Sequence, residues 1–303
     1  MSTARDSIGD APSRAEKSDS ALHSRPKVWT DWITRPLFGL LLAAVAIAAT
    51  VYGGIAFVLF VCVGSAAAVR EWHRMFTNRG FWPSTIVSTV AIACALFFEF
   101  ARGRWIVPGG TALVPFLILL GGAATQMLLA LRRNEGIAAH ALGVLYVGVP
   151  ALSFLLLRLS PVHPLWIVLM LFLAIWATDT GALIAGSLIG GRKLAPAWSP
   201  KKTWAGFFGG LACAAVISGG TGAVLSAAPA TAVLFGLVIS LAAQMGDLFE
   251  SVVKRRAGRK NSGELIPGHG GVLDRIDSSL FAAPIAAILV LGMGFDPLSG
   301  MIV

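Results

Sequence analysis

LSPVHPLWIVLMLFLAIWAT, Leu159–Thr178, is twenty residues without a formal charge, and it stops at Asp179. A helix needs about 20 apolar residues to cross the hydrocarbon of a bilayer, so this stretch predicts one span with a carboxylate at its end. Further uncharged runs lie at Pro36–Val69, Gly80–Phe98, Trp105–Leu131, Gly136–Leu157, Trp204–Gly246 and Ser278–Phe295. Two of them, Pro36–Val69 and Trp204–Gly246, are long enough for two crossings, with breaks expected near Tyr52-Gly53-Gly54 and Ala227-Ala228-Pro229. The predicted fold class is therefore all-α, a polytopic membrane bundle of about nine transmembrane helices. Composition agrees: 56% of residues are hydrophobic, only 13% are charged, and the mean hydropathy of +0.78 lies outside the range of soluble globular domains.

Charge orients the spans. With the N-terminus in the cytoplasm, 21 of the 24 Lys and Arg residues fall in loops on that side, and only Arg102, Arg104 and Arg158 fall on the other. The net charge of +9 then reads as topology and an affinity for anionic headgroups and phosphates rather than for nucleic acid. Cys62, Cys94 and Cys213 stand singly in apolar runs, without the spacing of a zinc site or a disulfide framework. Residues 1–28 read as a disordered cytoplasmic tail, residues 29–157 as N-terminal transmembrane scaffold, and residues 158–303 as the catalytic region, because both long polar connections lie there.

The first connection contains ATDTGALIAGSLIGGRKLAPAWSPKKTWAG. Asp179 at membrane depth costs about 2.5–3.5 kcal/mol on insertion scales and so needs a partner or a wet cavity. Ser199, Lys201, Lys202 and Thr203 precede an apolar helix, where hydroxyls, ammonium groups and free backbone amides suit a phosphate chain. Taken alone, the two lysines fit equally well as snorkelling residues at a membrane boundary. The second connection reads GDLFESVVKRRAGRKNSGELIPGHGGVLDRIDS. If the eighth helix runs into it, Asp247, Ser251 and Lys254 share a face, and Asp274 and Asp277 are neighbours at the start of the ninth. Three carboxylates from two helix ends form the oxygen-rich setting that Mg²⁺ prefers. Gly268, Gly270 and Gly271 permit a close backbone approach to an anion. The competing explanation is a juxtamembrane salt-bridge belt of these acids with Lys254, Arg255 and Arg275.

These residues carry a resemblance. Ser251, Lys254-Arg255, Lys260-Asn261, Pro267-Gly268-His269-Gly270-Gly271 and Asp274-Arg275-Ile276-Asp277, together with DTGA from Asp179 and SPKKTW from Ser199, resemble the signature of the phosphatidate cytidylyltransferases, or CDP-diacylglycerol synthases. The match is close in the C-terminal half and extends to the N-terminal half in hydropathy only. Asn261 and Ala205 stand where that signature usually has aspartate and glutamate.

The resemblance implies that CTP and phosphatidate in the bilayer give CDP-diacylglycerol and pyrophosphate, in a bacterial-type inner membrane with the site facing the cytoplasm. It implies metal binding by Asp247, Asp274 and Asp277, with Mg²⁺ the expected cofactor, alone or beside a second cation, divalent or K⁺. Lys254, Arg255, His269 and Arg275 join these acids as expected catalytic residues. Asp179, Ser199, Lys201, Lys202, Thr203, Ser251, Gly270 and Gly271 are the expected substrate contacts. A homodimer surrounded by membrane lipids is implied as well. The alternatives are a divergent lipid- or nucleotide-binding paralogue and a polytopic transporter. The latter expects its charges near the membrane midplane rather than gathered at one edge.

Overall fold

The computed structural model describes residues 28–77, 80–105, 113–225, 228–263, 265 and 270–299. The predicted tail thus lies outside the described residues except for Val28, which opens the first helix, and His269 lies outside them too. Contacts divide the chain into a short unit, Met1–Leu42, and a main body, Ala43–Val303, which holds everything discussed below.

Among the described residues there are nine α-helices: α1 (Val28–Tyr52), α2 (Gly54–Phe76), α3 (Trp82–Trp105), α4 (Leu113–Arg133), α5 (Ile137–Arg158), α6 (Pro164–Leu188), α7 (Trp204–Leu225), α8 (Pro229–Arg256) and α9 (Leu273–Ala287). The last passes into a single π-helical stretch, Ile288–Gly292. Eight of these segments, α2 to α9, are long and apolar enough to cross a membrane, α9 together with its π-helical extension, and α1 contributes the shorter apolar stretch Leu37–Tyr52. The protein is an integral membrane protein of nearly all-α class, as its hydropathy predicts.

Both predicted breaks are present. Gly53 adopts φ 62°, and a β-carbon there would collide with the Arg158 guanidinium, whose Nε donates to the Thr50 carbonyl at 2.9 Å. The backbone therefore turns where only glycine tolerates both the angle and the crowding. The second break falls between Leu225 and Pro229, with Pro229 in the first turn of α8, where its missing N–H costs nothing.

One element was not expected. Ser199–Thr203 does not lead into a helix as free amides; it forms strand β2, paired antiparallel with β1 (Lys193–Ala195) in the registers Lys193↔Thr203 and Ala195↔Ser199. Gly190 and Gly191, at φ 65° and 90°, turn the chain out of α6 so that it can return as this hairpin. The Thr203 hydroxyl then accepts the Gly206 amide at 3.1 Å, satisfying one of the orphan donors at the start of α7.

Packing ties the two halves together. α6, α7 and α8 contact one another in sequence, while α9 lies against α8 and α5 and also touches α2. An aromatic column runs from Trp72 (α2) through Tyr146 (α5) to Phe249 (α8) and Phe281 (α9), with successive ring centroids 4.9, 5.4 and 5.3 Å apart. Several polar side chains buried in the N-terminal helices bond to one another across helices. His73 meets His140 (Nδ1 to Nδ1, 3.1 Å) and Ser88 (Nε2 to Oγ, 2.8 Å), and Gln126 donates to the same Ser88 oxygen at 2.7 Å. In lipid such bonds join helices that apolar contact alone distinguishes poorly.

Helix length sets the depth of the chemistry. α8 has 28 residues, about 42 Å at 1.5 Å per residue, against roughly 30 Å of hydrocarbon. The stretch from Pro229 to Gly246 spans about 27 Å on the same rise. With Pro229 at one edge of the hydrocarbon, Asp247 falls within about one helical turn of the other.

Candidate active site

Where α8 ends and α9 begins, a cavity of about 590 Å³ opens between α6, the hairpin, α7, α8 and α9. Nine of the residues expected from sequence line it: Asp179, Lys201, Lys202, Thr203, Asp247, Lys254, Asp274, Arg275 and Asp277. They come from four elements, each a separate stretch of sequence, so the fold, and not proximity along the chain, assembles them. α8 continues without interruption to Arg256, which puts Asp247 and Lys254 on one side of a single rod, as the spacing predicts.

The charges are interleaved. Lys202 Nζ stands 2.6 Å from Asp247 Oδ2, which joins the hairpin to α8. Lys254 Nζ donates to Asp274 Oδ1 at 2.7 Å and lies 3.3 Å from Glu250 Oε2 one helical turn back, joining α8 to α9. Asp274 is further engaged: it accepts the Ser262 amide at 3.2 and 3.1 Å on its two oxygens and the Gly271 amide at 3.0 Å. Asp277 accepts the Ser278 amide at 2.7 Å, and the Ser278 hydroxyl reaches Asp179 at 3.5 Å. Asp247 and Glu250 both act electrostatically on Asp277, and Asp179 feels Asp247, Lys202 and Arg275.

The remaining expected residues among those described stand outside the cavity lining. Arg255 is exposed and holds the hairpin turn, donating from Nε to the Trp198 carbonyl at 3.4 Å. Ser199 pairs in the strand, and Ser251 is half-buried on α8. Gly270 has φ 83°, which favours glycine, and Gly271 serves through its amide. Neither of the two departures from the signature lines the cavity: Asn261 is exposed in the connection and Ala205 lies in the first turn of α7.

Two acids escaped the sequence reading. Glu250 is fully buried, and its Oε2 lies 3.3 Å from the Lys254 ammonium. Glu71, on α2, is also fully buried and accepts the Val272 amide (3.0 Å), the Leu273 amide (2.9 Å) and the Ser262 hydroxyl (3.0 Å). Glu250 sits within a run of signature residues and had a signal, the i, i+4 spacing to Lys254. Glu71 lies in an arginine-flanked stretch, VREWHRMF, that reads as an ordinary polar loop, and nothing in the sequence pairs it with residues 191 to 202 positions away.

Among the described residues no three acidic, histidine or cysteine side chains converge as a ready metal cage. Mg²⁺ does not require one: it keeps several waters and binds through one or two carboxylates together with substrate phosphates. Asp247 and Asp277 line the cavity, and Glu250 is buried beside them, paired with Lys254. The carboxylates of Asp247 and Asp277 are the hard oxygen donors that a divalent cation takes. The lysines on the same wall fit phosphate groups entering with it.

Residues 33–292 match the cytidylyltransferase family. The chain is 37% identical over 253 residues to the phosphatidate cytidylyltransferase of Brucella suis biovar 1, an alignment covering 82% of this chain and 90% of that protein. The same identity and coverage relate it to the phosphatidate cytidylyltransferase of Brucella abortus strain 2308. Against the enzyme of the same name from Staphylococcus aureus strain COL it is 41% identical over 152 residues, 50% of this chain and 57% of that one.

Proposed function

The chain belongs to the cytidylyltransferase family, and we propose that it is a nucleotidyltransferase converting CTP and phosphatidate into CDP-diacylglycerol and pyrophosphate. The observation that carries this reading is the cavity itself. Acids and lysines from four stretches of sequence meet where α8 and α9 leave the hydrocarbon, so a lipid phosphate held in the bilayer and a nucleotide arriving from water can reach one point. A transporter has no need of that placement.

In the reaction, a phosphatidate oxygen attacks the α-phosphorus of CTP. The bond from that phosphorus to the oxygen bridging towards the β-phosphorus breaks, and pyrophosphate leaves with the electron pair. A phosphate monoester has its second pKa near about 6, so the attacking group is already a dianion near neutral pH and requires no strong base. The obstacle is bringing anions together, and positioning with charge stabilisation is the remedy. Lys201 and Lys202 meet the nucleotide phosphates from the hairpin. Lys254 and Arg275 act from the opposite wall on the lipid phosphate or the departing pyrophosphate. Asp247, Asp274 and Asp277 would hold Mg²⁺, alone or beside a second cation, divalent or K⁺. When bound, that charge offsets the repulsion between the two phosphate groups.

The distribution of basic residues supports a cytoplasmic site in the inner membrane, where CTP is available, and the signature supports a homodimer among membrane lipids.

The test uses two labels. With purified protein, phosphatidate micelles and Mg²⁺, ³²P at the α-position of CTP is expected in the chloroform phase. ³²P at the γ-position is expected to stay in water as pyrophosphate. Label from the γ-position in lipid would indicate phosphoryl transfer instead, and no lipid label from either would reject the reading.

A further inference from the structure

Glu71 belongs to the half of the chain that reads as scaffold, yet the hydrogen bonds its carboxylate accepts from the described residues all come from the catalytic half. Oε1 accepts the Val272 amide, and Oε2 accepts the Leu273 amide and the Ser262 hydroxyl. Val272 and Leu273 open α9, so the carboxylate caps the positive end of the helix that presents Asp274, Arg275 and Asp277 to the cavity. The side chain is fully buried, and its donors among the described residues are two amides at the beginning of α9 and one hydroxyl.

A second carboxylate works on the same segment from inside the site. Asp274 accepts the Ser262 amide and the Gly271 amide. Ser262 is thus held twice, by its hydroxyl to Glu71 and by its amide to Asp274. At the far end of the connection Gly271 is held by Asp274, and the next two amides by Glu71. Gly263 and Gly271 lie so close to the Glu71 side chain that a β-carbon on either would collide with it. Both ends of the segment 262–271, which contains the glycine-rich part of the signature, are therefore fastened to one point on α2.

We infer that Glu71 is a positioning residue for the transfer reaction: by fastening the start of α9 and both ends of this connection, it sets where Asp274 and Asp277 stand in the cavity. The inference rests on the function proposed above. It also makes α2 part of the active site's framework, although Glu71 does not line the cavity.

Glutamine at this position has the right size and the wrong pattern of donors. Its carbonyl replaces one carboxylate oxygen, and its NH₂ must then face either the Val272 or the Leu273 N–H, donor against donor. The start of α9 is pushed away in either orientation. A misplacement of about 1 Å at a reacting centre costs on the order of 100-fold in rate.

The experiment compares wild type, Glu71→Gln and Glu71→Asp in phosphatidate micelles as CTP is varied, with amide hydrogen exchange followed on the same samples. The expected result for Glu71→Gln is a kcat lower by on the order of 100-fold with KM for CTP within about threefold. Exchange should be faster in the peptide containing Val272 and Leu273, with protection retained in the other helices. Glu71→Asp should recover part of kcat, since a carboxylate is kept.

A Glu71→Gln enzyme within about twofold of wild type would overturn the inference. So would protection lost throughout the bundle, or Glu71→Asp no better than Glu71→Gln. If wild type itself makes no lipid product, the proposed function fails, and the exchange result alone then decides whether Glu71 fastens α9.

Discussion

Asp247→Asn is expected to reduce cytidylyl transfer by on the order of 10³-fold while the protein still folds. Asparagine keeps the shape of the side chain and one oxygen, so α8 and its packing against α9 are undisturbed. What disappears is the negative charge 2.6 Å from Lys202. Lys202 then lacks the partner that sets its position on the hairpin, and the cavity loses one of the carboxylates suited to a divalent cation. Initial rates with α-labelled CTP measure the loss, and a normal elution profile with unchanged thermal unfolding in detergent shows that folding is retained. Activity within tenfold of wild type would place the reaction elsewhere.

The second large effect concerns stability. Lys254→Met is expected to destabilise the protein by about 3–5 kcal/mol, the cost of leaving buried charge without its partner. Lys254 is 13% exposed and lies between Glu250, which is fully buried, and Asp274, at 13%. Removing the ammonium leaves two carboxylates facing one another in a site already crowded by Asp277 and Asp247. Thermal unfolding in detergent gives the magnitude, and the double variant Lys254→Met with Glu250→Gln should recover part of it, because the pair is in contact and its effects are not additive. A single variant as stable as wild type would mean that the ion pairs seen here contribute nothing.

Asp274 shows why loss of activity alone does not identify a metal ligand. Its oxygens already accept Lys254, the Ser262 amide and the Gly271 amide. Asp274→Ala would free the connection as well as remove a possible ligand, whereas Asp247 has no such backbone duty among the described residues. For this reason Asp247 is the sharper probe.

What the sequence made legible was local. Uncharged runs of the right length mark the spans, Gly53 and Pro229 mark the breaks, and an i, i+7 spacing puts Asp247 and Lys254 on one face of α8. Each of these depends on neighbours within a few turns of helix. The hairpin at Lys193–Thr203 was not legible, because SPKKT has neither the alternation nor the β-branched content of a typical strand, and the turn that joins the strands, residues 196–198, contains no glycine or asparagine to mark it. Glu71 was not legible for a different reason: two of its partners are backbone amides 201 and 202 residues away, and a backbone amide has no letter in the sequence. The aromatic column through Trp72, Tyr146, Phe249 and Phe281 is likewise a product of packing, and it holds α2 in place for Glu71 to reach α9.

The most direct test of the account is cation dependence at the defined site. Purified wild-type protein in phosphatidate micelles is given α-labelled CTP, once with Mg²⁺ and once with EDTA, and the chloroform phase is counted. The account predicts labelled CDP-diacylglycerol with Mg²⁺, none with EDTA, and recovery when Mg²⁺ is restored in excess. Equal product in EDTA would contradict the assignment of Asp247, Asp274 and Asp277 to a divalent cation.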